Sequence, residues 1–495
     1  WIVVPTRLPA RSALPMTVVV VVAGVVGWAA SARLTGTPDS LDYLVAARSW
    51  LAEGRPLDTA GRPFTQFAPG YPAALAALTW FGAELLTAAR VVAAVATAVT
   101  AFAAGRWARR ITGSSRAGVV AAVAAVSIWP VWTAAHAWSE SLLIALAVSA
   151  GAVLSAGVAR RSVPLVGAAG ILVGCAAATR YAGLVFVLLA LPLSVQWGGT
   201  LRQRWLAASV FVLPVLVIGG APVVHNLTVD RSQPLGPRAP ADASTLDVLM
   251  QAVTGVVKLA APPDAPALVG VVSFGIVAVV VALAARSLSA PQRSDLRRSA
   301  ALPVGFAGLY FVATVAGAVG SRLDRLDDGR LLAPCGPLLA VAAVALVSLA
   351  VGALSERTSG VRPALRWTRL GLLAAAGAAA INVVVSNGLA RRPQGLLSPA
   401  VVRSDVLQEA AAADAPLVVS NSPGVVAWAL DRPVVTPPLR GAGRAADGWP
   451  AGTLMVWMDV GLADVADLDD LTGACDVDER ADLAGGKLVV VNRCA

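Results

Sequence analysis

Leu14–Ala32 reads LPMTVVVVVAGVVGWAASA, a run without a single charged side chain. A helix of about 20 apolar residues matches the hydrocarbon thickness of a bilayer. Arg7 and Arg11 precede the run and Arg33 follows it. The run is too long for the core of a signal peptide, which favours a retained transmembrane helix.

Similar runs recur along the chain. Of its 495 residues, 57% are hydrophobic and only 14% are charged, whereas a soluble domain has about 25% charged residues. This composition excludes an ordinary soluble enzyme and predicts an all-α polytopic membrane protein with about eleven transmembrane helices. The predicted spans are 14–32, 88–107, 117–135, 140–158, two within 163–197, 205–224, 266–285, 300–320, 331–354 and 370–389. A shorter run, 71–86, predicts a helix that dips into the membrane surface.

The charges predict the orientation of these spans. The net charge is +10, but the arginines form short clusters between apolar runs, which indicates membrane topology and not a nucleic-acid surface. Every second connection is rich in arginine and is expected to face the cytoplasm. The other connections hold most of the acidic residues and are expected to face outward: 33–72, 136–139, 179–181, 225–265, 321–330 and the tail.

The tail is polar, which divides the chain into a transmembrane domain, 1–389, and a small extracytoplasmic α/β domain, 390–495. Three β-like runs at 417–420, 453–458 and 487–492, and a helix at 423–430 capped by Ser422, support this class. The spacing of Cys475 and Cys494 suits a disulfide that closes about 20 residues, which requires an oxidising compartment. Two free thiols are the alternative.

The first outward connection carries the most informative residues. It contains Pro38-Asp39-Ser40-Leu41-Asp42-Tyr43. Asp39 and Tyr43 are four residues apart, so they share a face if this segment is helical, and Asp42 lies within one turn. A carboxylate here can accept a proton from a hydroxyl group or hold a divalent cation. Alternatively, Asp39 caps a helix and Asp42 lies in its first turn.

Further motifs follow in order along the outward side. They are Phe67-Ala68-Pro69-Gly70-Tyr71-Pro72, Trp138-Ser139-Glu140-Ser141, Thr179-Arg180-Tyr181-Ala182-Gly183, His225-Asn226, Asp327-Asp328-Gly329-Arg330 and Leu417-Val418-Val419-Ser420-Asn421. In this order and spacing, the chain resembles the GT-C superfamily of polyprenyl-phosphate-sugar-dependent membrane glycosyltransferases. It looks most like the branch of the protein O-mannosyltransferases and the lipid A aminoarabinose transferase.

The chain also departs from the pattern of that superfamily. Related chains often have adjacent acidic residues in the first loop, whereas here Ser40 and Leu41 separate Asp39 from Asp42. The choice of catalytic base therefore stays open. His225 stands where arginine is common, and no cluster of histidine and acidic residues marks a metal site, so a divalent metal stays possible without assigned ligands.

The resemblance implies that a sugar moves from a polyprenyl-phosphate donor to a hydroxyl acceptor, which is a glycan, a lipid or a protein of the cell envelope. Asp39 would act as general base, with Asp42 as the reserve. Arg180 and Arg330 would bind the donor phosphate, since a guanidinium pairs phosphate oxygens in two places. The expected substrate-binding residues are Tyr43, Tyr71, Glu140 and Tyr181.

Simpler roles exist for most of these residues. Arg180 can extend its head group to the membrane interface, and Arg330 can pair with Asp327 or Asp328. Glu140 can satisfy a helix dipole. The aromatic side chains can form an interfacial belt; this is expected of Tyr43, Tyr71, Trp129, Trp132, Trp138 and Trp197.

Two other functions compete with transfer. A transporter or lipid flippase usually carries polar residues at mid-membrane and often has internal repeats, and this sequence shows neither clearly. A non-catalytic scaffold of the same fold is the third possibility.

Overall fold

The computed structural model describes residues 14–231, 233–237, 243–263, 265–321, 326–357, 388, 394–438, 449–461, 465–473, 475–483 and 485–494. Within these ranges, seven helices are long and apolar enough to cross a membrane: Pro15–Arg33, Leu85–Thr112, Ser139–Arg160, Leu201–Val229, Ala267–Arg286, Ala300–Gly320 and Cys335–Gly352. Three shorter apolar helices accompany them: Ser115–Val126, Val163–Thr179 and Tyr181–Gln196. The chain is therefore a multi-pass membrane protein, as predicted. The expected eleventh span, 370–389, and the expected domain boundary at 389/390 lie outside the described residues.

The helices are named here in chain order. They are α1 Leu14–Ala30, α2 Pro38–Glu53, α3 Gly70–Trp80, α4 Leu85–Thr112, α5 Ser115–Val126, α6 Trp129–Ala134, α7 Ser139–Arg160, α8 Val163–Thr179, α9 Ala190–Gln196, α10 Leu201–Pro214, α11 Gly220–Val229, α12 Thr245–Lys258, α13 Ala267–Ser287, α14 Ala290–Gly320, α15 Cys335–Arg357, α16 Pro399–Val402, α17 Asp405–Ala412, α18 Pro423–Leu430 and α19 Leu468–Thr472. A 3₁₀ helix, Tyr181–Leu189, leads into α9, and a π-helical turn, Val215–Gly219, joins α10 to α11.

Helix α2 is the element that positions the first acidic motif. Thr37 caps it by accepting a hydrogen bond from the Ser40 backbone, and Pro38 occupies the first helical position, where its missing N–H costs nothing. The helix ends at Gly54, whose φ of 73° favours glycine. The expectation that Asp39 caps this helix is therefore wrong, because Thr37 holds that place.

Two predicted apolar helices are divided in the structure. The predicted span 117–135 breaks after Val126, because Ile128 adopts a left-handed backbone with φ of 63° and a new helix, α6, starts at Trp129. The predicted surface helix 71–86 ends at Trp80, and α4 begins at Leu85.

Large aromatic side chains and small residues build the core of the bundle. Trp107, Phe186 and Phe306 are fully buried in one cluster. Gly151 lies against Trp107 so closely that a Cβ would stand 2.1 Å from the indole ring. Small residues of this kind let membrane helices approach without a hydrophobic driving force.

The C-terminal region forms a four-stranded sheet with the order β1-β2-β4-β3. Its strands are β1 Val418–Ser420, β2 Thr453–Met458, β3 Cys475–Leu483 and β4 Gly486–Cys494. Strand β1 is parallel to β2, and the other pairs are antiparallel. Three strands and α18 agree with the predicted runs, whereas the sequence analysis missed β3.

This region packs directly on α2. Arg48 of α2 donates to the carbonyl groups of Ala427 and Trp428 at 2.7 and 2.9 Å, and it pairs with Asp431 at 2.8 Å. Leu41 contacts Gly424 of α18, and apolar side chains of both regions share one buried cluster. The sheet region therefore packs against the helix that carries Asp39.

Cys475 and Cys494 are joined in a disulfide across the open end of the β3–β4 hairpin. Closing a loop of 19 residues is expected to stabilise the region by about 3 kcal/mol. We expect Cys475→Ser to lower the free energy of unfolding of the sheet region by about this amount. Thermal unfolding with and without reductant measures it; equal stability of the oxidised protein and the variant would contradict the expectation. Cys175→Ser, at a free thiol far along the chain, is the control.

Candidate active site

The side chain of Asp39 lines a cavity of about 430 Å³. Asp39 is the second residue of α2, and 22% of its side chain is exposed. Further cavity walls come from the segment after α2, from the 3₁₀ helix and from α14. The remaining lining residues include Tyr43, Phe67, Arg180, Tyr181, Ala182, Val185, Tyr310, Ala313, Thr314, Gly317 and Leu331.

Four charged side chains form a chain of ion pairs beside this cavity. Arg330 Nη2 lies 2.5 Å from Asp39 Oδ2, and Arg330 Nε lies 2.9 Å from Glu140 Oε1. The same Glu140 oxygen accepts from Arg180 Nη1 at 2.6 Å. Glu140 is completely buried and Arg330 nearly so. Two positive and two negative charges balance, which is what burial of charge requires.

The local backbone explains how the two arginines reach this place. Arg180 is a single extended residue between α8 and the 3₁₀ helix, with φ of −148° and ψ of 131°. Arg330 follows Gly329, whose φ of 82° favours glycine and whose Cα lies against the Trp129 ring. Both arginines therefore sit where a helix ends or begins, not within a span.

Three consecutive residues at the start of α7 contact the site. Trp138 lies under the Arg330 guanidinium, with 3.7 Å from Cζ to the ring centroid. Ser139 Oγ is 3.1 Å from the Tyr43 hydroxyl, and Glu140 binds both arginines. The assignment of Trp138 and Trp129 to an interfacial belt is wrong, because they are only 3% and 2% exposed.

The predicted tyrosines also gather here. Tyr43 and Tyr71 meet edge to face at 5.3 Å, and both are buried, so neither is an interfacial anchor. Burial raises the pKa of both hydroxyls above their ordinary value. The Tyr181 hydroxyl donates to the Thr65 carbonyl and accepts from the amide of Asn226 at 2.8 Å. Tyr43 and Tyr181 line the cavity; Tyr71 packs behind Tyr43.

The structure separates the two acidic residues of α2. Asp42 is partly buried and does not line the cavity with Asp39. Burial first, and then the charges of Asp39 and Asp58, raise the pKa of Asp42 to about 8. Because its side chain lies off the cavity wall, Asp42 is less well placed than Asp39 to accept a proton from an acceptor bound in the cavity.

Among the described residues, the carboxylates around the cavity are paired with arginines and are not grouped as metal ligands. Within the described ranges, no three His, Cys, Asp or Glu side chains come together as ligands. The carboxylates of Asp39 and Glu140 each face an arginine, which supplies the positive charge that a cation would otherwise bring.

Sequence reasoning missed Tyr310 altogether, assigned Trp138 to an interfacial belt, and named Asn226 within an outward motif without giving it a role. The rarity of tyrosine in this chain could have identified Tyr310 as a site residue. The chain has only four tyrosines, and three of them line the cavity while the fourth contacts one of these. A rare polar aromatic residue inside an apolar span, such as Tyr310, is therefore worth assigning to a site.

Comparisons with known proteins show which solved structures share this fold. No family model and no curated protein matches the chain. Among solved structures, ArnT from Cupriavidus metallidurans bound to undecaprenyl phosphate matches with a TM-score of 0.63 at 15% identity, over 96% of this chain and 98% of that chain. The Archaeoglobus fulgidus oligosaccharyltransferase in the apo form matches with a TM-score of 0.53 at 14% identity, over 88% of this chain and 66% of that one.

A complex of the archaeal oligosaccharyltransferase AglB from Archaeoglobus fulgidus with an inhibitory peptide and a dolichol-phosphate matches with a TM-score of 0.51 at 13% identity. It covers 86% of this chain and 64% of that chain. ArnT and the oligosaccharyltransferase AglB are both GT-C proteins. The chain therefore has the GT-C fold, which confirms the resemblance seen in its motifs.

Proposed function

We propose that this protein is a membrane glycosyltransferase that moves a sugar from a polyprenyl-phosphate donor to a hydroxyl acceptor at the outer face of the cell membrane. One observation carries the proposal: a carboxylate, Asp39, and a guanidinium, Arg180, line the same cavity, and each has a buried partner of opposite charge. The fold supports it, since the matching structures hold undecaprenyl phosphate and dolichol-phosphate.

Asp39 is the proposed general base. A hydroxyl is a weak nucleophile, so a carboxylate must take its proton as the oxygen attacks the anomeric carbon. The new bond from oxygen to carbon forms while the bond from the sugar to the phosphate oxygen breaks, and its electron pair leaves with the lipid phosphate. When Asp39 becomes neutral, Arg330 keeps a countercharge because Glu140 also binds it.

Arg180 is the proposed partner of the leaving phosphate. Negative charge grows on that group as the bond breaks, and a fixed cation stabilises it. A guanidinium has five donors, so its pairing with Glu140 leaves capacity for phosphate oxygens. About one fifth of the Arg180 side chain is exposed, on the cavity wall where a donor would bind. Arg330 is more deeply buried and serves Asp39 in this mechanism.

The apolar part of the cavity suits the prenyl chain. Small and aliphatic side chains line it between the 3₁₀ helix and α14: Ala182, Val185, Ala313 and Gly317. A lipid whose phosphate meets Arg180 would place its isoprenoid units along this wall. This arrangement would orient the sugar toward Asp39 and Tyr43.

The proposed orientation follows from α4. Its first residue, Leu85, packs in the cluster around α2, whereas Arg109 and Arg110 lie in its last turn. Clustered arginines mark the cytoplasmic end of a span, so the cavity would open on the opposite side. The sheet region, packed on α2, would then be extracytoplasmic, where its disulfide is stable. An acceptor hydroxyl on a glycan, a lipid or a protein would arrive from there.

Arg180→Lys tests the phosphate role. Lysine keeps the charge that Glu140 needs but loses the planar fork, so we expect kcat/KM for the lipid donor to fall about 10- to 100-fold while the protein stays folded. The assay follows transfer from polyprenyl-phosphate-linked sugars in proteoliposomes. Arg55→Lys, at an exposed arginine beyond the end of α2, is the matched control. Equal kcat/KM in both variants, or lipid transport without sugar transfer, would contradict the proposal.

A further inference from the structure

Trp138 contacts Arg330 and the N-cap residue of the helix that carries Asp39 through different parts of one side chain. The face of its indole lies 3.7 Å from the Arg330 guanidinium carbon. Its Nε1–H donates to Thr37 Oγ1 at 2.8 Å. Thr37 is the cap of α2, and Asp39 is the second residue of that helix. The indole therefore connects the arginine to the helix end that carries the carboxylate.

The ring is held from its other side as well. The His136 imidazole stacks on the indole with a centroid distance of 3.9 Å and an interplanar angle of 11°. Two groups this close to one ring centre must lie on opposite faces, so the indole is sandwiched between His136 and Arg330. His136 Nδ1 is in turn 2.9 Å from the Trp132 carbonyl oxygen. Trp138 thus has no room to rotate away from the ion pair.

We propose that Trp138 is a positioning residue that fixes the geometry of Asp39, both through Arg330 and through the cap of α2. The inference rests on the proposed function, since it concerns the base of that reaction. A guanidinium held against an indole face away from water is among the stronger cation–π contacts. A carboxylate that must meet an incoming hydroxyl loses about 100-fold in rate when it is displaced by 1 Å.

The neighbours of Trp138 in sequence reinforce this role. Ser139 meets the Tyr43 hydroxyl one turn further along α2, and Glu140 pairs with Nε of the same Arg330 guanidinium that binds Asp39. Three successive residues therefore hold α2 and Arg330 in one arrangement. Trp138 is the only one of the three that contacts the cap Thr37, within the described residues.

Two substitutions separate the parts of the contact. Trp138→Phe keeps an aromatic face for Arg330 but removes the N–H donor to Thr37, whereas Trp138→Leu removes both. We expect kcat for sugar transfer to fall about tenfold in Trp138→Leu and less in Trp138→Phe, with KM for the lipid donor changed by less than about threefold. Trp80→Phe is the matched control, because Trp80 is 79% exposed at the end of α3 and has no described contact with Trp138 or Arg330.

Hydrogen–deuterium exchange of the full-length protein gives a readout that does not depend on activity. Loss of the anchor on Thr37 should fray the first turn of α2, so the backbone amides of residues 40–45 should exchange about tenfold faster in Trp138→Leu. Wild-type exchange in Trp138→Leu would overturn the inference, and so would faster exchange with an unchanged kcat. If the leucine variant fails to fold, the phenylalanine variant and Thr37→Val decide by the same measurements. A wild-type protein that transfers no sugar would refute the proposed function instead, while exchange would still decide whether Trp138 positions α2.

Discussion

Asp39→Asn should reduce the rate of sugar transfer by about a thousandfold, the usual contribution of a positioned general base. Asparagine has nearly the same shape as aspartate, and its carbonyl oxygen can still accept from Arg330, so the cavity should persist. It cannot take the proton of the attacking hydroxyl. Transfer from polyprenyl-phosphate-linked sugars in proteoliposomes measures the loss, and the melting temperature shows whether the fold is retained.

Asp42→Asn is the matched control, three residues away on the same helix. Its side chain lies off the cavity wall, so transfer should stay within about threefold of wild type. The pKa of Asp42 is raised from 3.8 to about 8, so the folded protein binds this proton more tightly than the unfolded chain. Stability should therefore fall as pH rises from about 4 to 8, and the asparagine variant should lose part of this dependence. Loss of transfer in Asp42→Asn with full transfer in Asp39→Asn would reverse the assignment of the base.

Glu140→Ala should be the most damaging single change for the fold. Its carboxylate is completely buried and pairs with Arg180 and Arg330. Removing it leaves two cations with one remaining countercharge, and breaking a buried pair in this way costs about 3–5 kcal/mol. We expect a strongly lowered melting temperature in detergent and little transfer.

Glu140→Gln separates charge from shape. Glutamine retains the volume and one acceptor oxygen, so this variant should be more stable than Glu140→Ala but less stable than wild type. Glu53→Gln, at an exposed glutamate near the end of α2, should leave stability unchanged. If Glu140→Ala melts at the wild-type temperature, the ion-pair chain does not contribute to the fold.

The sequence predicted where most of the apolar helices lie, because apolar runs of membrane length have few alternative interpretations. The predicted number of about eleven spans is not confirmed, since seven helices among the described residues are long and apolar enough to cross a membrane. The sequence also predicted the interruption near Arg180, since a charged residue between two apolar halves rarely continues a helix across the bilayer. The break at Ile128 was not predicted, because an isoleucine in a left-handed backbone follows no local rule. Strand β3 was missed because Asp476, Asp478 and Glu479 hide its alternation, and it is an edge strand held by β4 alone.

The members of the site were easier to predict than their partners. Asp39, Glu140, Arg180 and Arg330 were all expected on one side of the membrane. Which carboxylate pairs with which arginine depends on helix packing between residues that are up to 291 positions apart, and spacing along the chain carries no such information. Trp138 was misassigned for the same reason, since a tryptophan near a span end usually lies at the interface.

The balanced charges beside the cavity affect which anions can bind there. Its two cations are already neutralised by two anions, so a small free anion such as sulfate gains little by entering. A phosphate ligand therefore needs additional apolar contacts, such as those of a lipid chain with the cavity wall, to bind tightly. We therefore expect water-soluble sugar nucleotides and buffer salts to inhibit sugar transfer weakly, and amphiphilic phosphates to inhibit it strongly.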